Sequence, residues 1–491
     1  MRKLFLMIVL AFLCYPSFGA ENSVKSPKPY GPVPTEAQLR WHAIEYFGLV
    51  HYGPNTYTGN TWGYGDTDPA LFNPSNLDTD QWAKACKDGG LRGMVVVVKH
   101  HDGFCLWPTK TTKYNISATP WKNGKGDLIA DLVKSCKKFD IKLGLYISPW
   151  DRNHAEYARE QYVKDFHEQW REVLAYDDDI FEIWLDGANG GTGWYGGAKD
   201  RRTIPKDYYQ FDKLFKLCKE KQPMAVFFNM PHKTDCVRWV GNEGGRVPEQ
   251  NWCRIPFNAL SGQVLPGHLR GPGMKTGDIW MPAEADTSFH RGWFWSKSRP
   301  EKDYNWLRST WYGTVGRGAG FSLGLAPTKE GLLTQKCVDA MKKLKEHLDH
   351  VFAVNLVESA EMKPENVRGK SDSFGPKGLT DGDTKTYWAT DDGVQKGTIL
   401  INFPRAVTFD HLVLQEHIAL GQRIHAFHLE AQKADGTWQT VTKGTTIGYK
   451  KIMTFKPQTF GRLRLTLETD APCLTLAELG LYNGSREQKR E

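Results

Sequence analysis

Two carboxylates sit in matching surroundings. Asp186 lies in IWLDGANGG and Glu243 in VRWVGNEGG, each after an apolar run and just before glycines. Carboxyl groups at the ends of two different strands are what cleavage of a glycosidic bond requires. One attacks the sugar or activates water, and the other protonates the leaving oxygen. A further cluster, Lys99-His100-His101-Asp102, closes the apolar run GMVVVV. A neutral imidazole both donates and accepts hydrogen bonds, so grouped histidines suit the binding of a polar ligand. Two other readings stay open for this stretch. Successive strand residues point to opposite faces, so His100 and His101 share a metal ion only if the strand twists as it ends. Buried histidines also occur as plain core residues. For Asp186 the alternative is an Asx turn.

Such groups need elements to hold them. From about residue 40 to 330, apolar β-type runs alternate with helical patterns. YFGLVHYG, GMVVVVKHH, IKLGLYISPW, FEIWLDGA, MAVFFN and CVRWVGNE read as strands. LIADLVKSCKKF, the charged stretch from about Ala155 to Tyr176, and Tyr208–Lys221 read as helices. That alternation predicts a parallel sheet with crossover helices. About 300 residues of it, with no Gly-x-Gly-x-x-Gly after the first strand, favour an α/β fold of the (β/α)8-like TIM-barrel kind over a dinucleotide-binding sheet. In such a barrel the chemistry sits where strands end. His51 ends YFGLVH, His100 and His101 follow GMVVVVK, Tyr146 comes late in IKLGLY, and Asp186 ends FEIWLD. Polar groups at four strand ends outweigh the reading of each as an isolated loop residue.

After about residue 350 the helices stop, and QKCVDAMKKLKEHLDHVF reads as the last barrel helix. TILINF, HLVLQEH, AFHLEAQ and RLRLTLE then alternate with period two between turns, which predicts an all-β sandwich. The expected divisions are a leader over 1–20, a catalytic barrel over 21–350 and a β-sandwich over 351–485.

The totals set limits. A chain of 491 residues exceeds what one core organises. The net charge of +8 is spread thinly, without a long basic run, which argues against a nucleic-acid partner. Arg2 and Lys3 precede LFLMIVLAFL, and small residues follow around Gly19-Ala20. This is the pattern of a secretory signal, too short to span a bilayer, so a periplasmic or extracellular protein is expected, without stable membrane insertion. Cys14 follows a large Leu13, which makes an outer-surface lipid anchor the weaker alternative. None of the other eight cysteines forms a C-x-x-C pair, which argues against a structural zinc site. Disulfides and buried thiols both stay open.

Seven segments carry a family resemblance: FGLVHYGPNT, WGYGDTDPALFNP, KHHDGFCLWPTKTT, LGLYISPWDRN, EIWLDGA, RWVGNE and PAEADTSFHRGWFW. From about Trp41 to Leu333 the chain resembles the α-L-fucosidases of glycoside hydrolase family 29, and RWVGNE and ISPWDRN are similar to the subgroup that acts on α-1,3/1,4-linked fucose. The resemblance implies a retaining double displacement with no metal or organic cofactor and a fucosylated glycan as substrate. It implies Asp186 as nucleophile and Glu243 as acid/base, with Glu249 in VPEQNW as the rival. It implies that His51, His100, His101 and Tyr146 hold fucose hydroxyls and that Trp62 and Trp293 are aromatic walls. Two positions depart from the family pattern: Thr61 stands where a Glu is common, and the late barrel segment reads GRGAGFSLGLAP. In the tail, LTDGDTKTYWAT resembles discoidin-like, coagulation-factor-type domains, as a sugar-binding module or a brace. The competing functions are a retaining glycosidase on another sugar and a non-catalytic carbohydrate-binding protein. The second would lack a carboxylate, and both are present.

Overall fold

Eight parallel strands close into a barrel in the computed structural model, which describes residues 24–230, 232, 234–259 and 265–485. The leader expected over 1–20 lies outside the described residues. The strands are β1 (Tyr46–Val50), β2 (Gly93–Lys99), β3 (Lys142–Ile147), β4 (Ile180–Trp184), β5 (Val226–Phe228), β6 (Cys236–Trp239), β7 (Ala283–Ser288) and β8 (Gly320–Leu325), with β8 pairing back onto β1. Around them lie α1 (Thr79–Asp88), α2 (Leu128–Phe139), α3 (Glu160–Val173), α4 (Phe211–Lys221), α5 (Tyr304–Thr314) and α6 (Gln335–Val351). α3 is shorter at both ends than the charged pattern suggested. The simple alternation fails twice: residues 229–235 join β5 to β6 directly, too short for a crossover helix, with Asn229 and Asp235 both at positive φ, and among the described residues the β6–β7 connection holds only short pieces, the paired Arg254–Ile255 and Ile279–Trp280 and the four-residue helix Gly267–Arg270.

The apolar runs are buried on both faces because one face fills the lumen and the other meets the helices. Phe47, Leu49, Val95, Val97, Tyr146, Trp184 and Phe228 pack together as the lumen core. Val50, Val96, Val98, Leu145 and Ile147 belong to the layer under the helices. α2 shows how the outer ring is specified. The Asp127 side chain caps it by accepting from Ala130 N, and Leu128, Ile129, Leu132, Val133 and Cys136 form its buried stripe.

The lumen also holds two buried carboxyls, Glu182 on β4 and Glu284 on β7. Trp184 Nε1 donates to Glu284 Oε1 at 3.0 Å. Burial and the neighbouring carboxyl drive Glu182 well above the usual range, and burial pushes Glu284 to about 7. A carboxyl that holds its proton more tightly when folded stabilises the protein at low pH, and that contribution declines as pH rises from the unfolded value near 4.5 through about 7. Glu284→Gln keeps the acceptor for Trp184 and does not titrate. Its melting temperature is expected to exceed that of wild type by more at pH 8 than at pH 5. An equal offset at both values would show that the pair does not hold a proton.

The C-terminal domain is an all-β unit. Its main sheet contains β9 (Glu361–Pro364), β10 (Lys396–Gln415), β11 (Ile424–Gln432), β12 (Trp438–Gly444), β13 (Lys451–Thr469) and β14 (Glu478–Tyr482). β10 and β13 run 20 and 19 residues, with register breaks that bend them. The alternating leucines fill its core: Leu412, Leu414, Leu463, Leu465, Leu467 and Leu479 are buried together. This domain grips the barrel. Gln422 accepts from Cys253 N at 2.7 Å and donates to Asn251 O at 3.0 Å, Lys451 pairs with Glu249 at 2.9 Å, and Tyr449 stacks on His42. The Gln422 and Lys451 contacts brace the segment that follows the Glu243 loop. All eight cysteines among the described residues are buried free thiols. No described helix is long and apolar enough to cross a membrane.

Candidate active site

The end of β2 explains how two adjacent histidines face one way. The register of β2 against β3 shifts between Val97 and Lys99. Such a bulge re-aims the residues that follow. Lys99 turns outward under α3, where its ammonium meets Asp151 Oδ2 at 3.1 Å, Tyr162 OH at 3.0 Å and Gln169 Oε1 at 2.9 Å. Both charges are buried, so losing either partner would strand the other at a cost of about 3–5 kcal/mol. His100 and His101 then both reach the lumen mouth, with ring centroids 4.1 Å apart. The chain turns sharply at Gly103, whose φ is +87°. A β-carbon there would lie 2.1 Å from Asp151 Oδ1, so only glycine fits.

At the top of the barrel a pocket of about 360 Å³ is lined by His51, Trp62, His100, His101, Tyr146, Asp186, Glu243 and Trp293, which are all eight site residues taken from the sequence. Asp186 sits two residues beyond β4 with its side chain 26% exposed. Its two oxygens divide the work. Oδ1 accepts from Ala188 N at 2.6 Å, so the Asx turn is real. Oδ2 accepts from Tyr146 OH at 2.9 Å and lies 3.7 Å from His101 Nε2. Burial and the Asp186 charge raise the Tyr146 hydroxyl well above its usual value, so it stays a donor.

The histidines are neutral. Burial lowers His51 to about 3 and His100 well below its ordinary value. It also lowers His101, against the pull of Asp186. The tautomer of His101 follows from its neighbour. Ser148 Oγ donates to Trp150 O at 2.8 Å, so toward His101 Nδ1, at 2.7 Å, it accepts. Nδ1 therefore carries the proton, and Nε2 offers a lone pair to the pocket. A hydroxyl placed beside Asp186 could donate to it. Trp293 stacks obliquely on His51 at 4.9 Å, and Trp62, 49% exposed, meets the His101 ring edge-on at 5.6 Å.

Glu243 projects from the loop after β6, where Asn242 Oδ1 ties down Gly244 N and Arg246 N. Glu249 is elsewhere. It does not line the pocket, and it pairs with Lys451 at 2.9 Å and lies 3.8 Å from Arg317. Partial burial alone would raise its pKa, and Lys451 and Arg317 together outweigh that and lower it. A carboxylate held ionised by the C-terminal domain is badly placed to deliver a proton.

Other lining residues were not singled out from the sequence. Phe228 and Trp184 stack in series beneath Tyr146 to form the floor, with successive centroids 4.0 and 4.7 Å apart. Asp286 on β7 is buried, accepts from Trp239 Nε1 at 2.7 Å, and is raised well above the usual carboxylate range, chiefly by burial. Its signal was present in PAEADTS, where Glu284 and Asp286 alternate among small residues and so share the lumen face. Among the described residues no three His, Cys, Asp or Glu side chains are arranged to hold a metal ion.

A closed parallel barrel with carboxyls and neutral histidines gathered at its mouth is the architecture of a glycoside hydrolase. The α-L-fucosidase family model matches residues 34–351, and the F5/8 type C domain model matches 361–479. The chain belongs to the α-L-fucosidase family, glycoside hydrolase family 29, and carries a discoidin-like domain behind the barrel. It is 35% identical to Alpha-L-fucosidase 1 of Arabidopsis thaliana, over 93% of this chain and 88% of that protein. A putative α-L-fucosidase from Bacteroides thetaiotaomicron superposes with a TM-score of 0.86 at 30% identity, covering 93% and 99% of the two chains. A Ruminococcus gnavus family 29 fucosidase solved with fucose gives 0.83 at 28% identity, covering 94% and 97%.

Proposed function

We propose that this α-L-fucosidase releases terminal fucose by double displacement with retention of configuration. Asp186 attacks the anomeric carbon, and Glu243 first protonates the leaving oxygen and then activates water. The observation that carries this reading is the setting of Asp186. Its turn and the Tyr146 hydroxyl fix the carboxyl in direction at the edge of a pocket that already holds the three neutral histidines. The pocket is near the small end for ligand sites, which suits one sugar ring and therefore exo action. Fucose binding by the Ruminococcus gnavus relative supports the same sugar here.

A preference for α-1,3/1,4 linkages on branched glycans, drawn from the RWVGNE and ISPWDRN segments, would need a second binding surface beside the pocket. An outer cleft of about 500 Å³ shares Trp62 with it and is lined by Asn60, Thr61, Tyr64, Thr192 and Arg201. The exposed Trp62 and Tyr64 rings would face the sugar next to fucose. Export to the periplasm or the medium, read from the N-terminal segment, would place the enzyme where such glycans are met.

The test is the anomer released first. With an aryl α-L-fucoside, proton NMR during the first minutes should show α-L-fucose ahead of its mutarotated form. β-L-fucose appearing first would replace double displacement by inversion, and no hydrolysis at all would remove the activity itself.

A further inference from the structure

Behind His100 lies a second, narrow cavity of about 10 Å³, lined among others by Asn55, His100, Asp102 and Phe294. His100 is the wall between this cavity and the sugar pocket. Four buried polar atoms of the lining residues have no partner in the protein: Asn55 Oδ1 and Nδ2, Asp102 Oδ2 and His100 Nδ1. Their residues are 0%, 1% and 7% exposed. Asp102 has used only its other oxygen, which accepts from Phe104 N at 3.3 Å. Groups buried this deeply are almost always hydrogen-bonded, and a polar space of this size admits one water with two to four partners.

We propose that this cavity is a hydration site for a single water that joins Asp102 and Asn55 to His100, making the two side chains positioning residues for fucose recognition. The water accepts from His100 Nδ1–H and donates to Asp102 Oδ2, and its remaining proton and lone pair face the Asn55 amide. His100 is thereby fixed in the tautomer that presents Nε2 as an acceptor to a sugar hydroxyl, matching the arrangement Ser148 imposes on His101. The same pair supports the Trp62 loop. A β-carbon at Gly63 would lie 2.7 Å from Asn55 Oδ1 and 3.1 Å from Asp102 Cβ, so Gly63 closes tightly over these side chains. The hydration site thus sits between a hydroxyl-reading histidine and an aromatic wall.

This inference rests on the fucosidase reading, and its test separates the two. Hydrolysis of an aryl fucoside by wild-type enzyme checks the activity. A high-resolution crystal structure of the same protein is expected to show one water within hydrogen-bond distance of Asn55, Asp102 and His100 Nδ1. An empty cavity, or a direct Asp102–His100 bond, overturns the proposal while leaving the activity intact. Asp102→Leu fills the space and expels the water. It should lose about a hundredfold in kcat/KM, the scale of a ~1 Å misplacement at a reacting centre. Asp102→Asn keeps a polar partner and should lose far less, which preserves the test if the leucine variant does not fold. Monodeoxy fucosides supply the readout a purely structural role would not move. The loss should vanish for the one analogue lacking the hydroxyl that His100 holds, which His100→Ala identifies independently. An equal loss across every analogue, with normal melting, also overturns the proposal.

Discussion

Asp186→Asn is expected to lower kcat on an aryl α-L-fucoside on the order of 10³-fold or more, the scale for removal of a covalent nucleophile. The fold should survive. Asp186 lies beyond the end of β4, a quarter exposed, and contributes no buried apolar surface. Asparagine retains an oxygen for Ala188 N, so the turn that directs the side chain is kept. Tyr146 loses a charged acceptor and gains an amide, a small change beside the loss of the attacking oxygen. A 2-deoxy-2-fluoro fucosyl donor slows hydrolysis of the covalent intermediate and provides a second reading. The wild-type peptide containing Asp186 should gain the mass of the fluorosugar, and the variant peptide should not. Residual activity within about tenfold of wild type, or a label on another carboxyl, would remove Asp186 from the nucleophile role.

The parts of this site that could be read from sequence are those whose placement follows from strand ends. His51, Tyr146 and Asp186 close apolar runs, and a parallel barrel brings the ends of its strands to one mouth whatever the intervening loops do. The histidine pair was harder. Period-two alternation puts His100 and His101 on opposite faces, and both reach the mouth because the strand ends at Lys99, after a bulge between Val97 and Lys99, and a turn follows at His101. Bulges depend on pairing with a neighbouring strand, so no local pattern announces them. Trp184, Phe228 and Asp286 were passed over because a lumen-facing aromatic or acid looks like core until the barrel is closed and its open end is known. A brace was one of the two roles legible for the tail, but the contact it makes was not. Glu249 resembles Glu243 along the chain, and only the docking of Lys451 from a domain 200 residues later separates them.

That separation decides the remaining prediction. A general acid matters most when the leaving group is poor: an aryl oxide departs nearly unaided, whereas a sugar alkoxide must be protonated. The same residue is the base for the second step. Glu243→Ala should therefore lose activity severely on a fucosylated oligosaccharide, by the hundredfold to ten-thousandfold typical of general acid–base catalysis, and less on an activated aryl fucoside, where deglycosylation becomes limiting. Azide needs no base to attack the intermediate. It should accelerate the variant on the aryl substrate and yield α-L-fucosyl azide with retained configuration. Glu249→Ala should behave differently. Its carboxylate neutralises Lys451, which is 2% exposed, so removing it leaves a buried ammonium without its charge partner, held only by the main-chain oxygen of residue 249. The expected consequence is a lower melting temperature and a weaker grip of the C-terminal domain, with no azide response and the same proportional change on aryl and oligosaccharide substrates. Azide rescue in Glu249→Ala and none in Glu243→Ala would exchange the two assignments and require the 243–251 loop to rearrange when substrate binds.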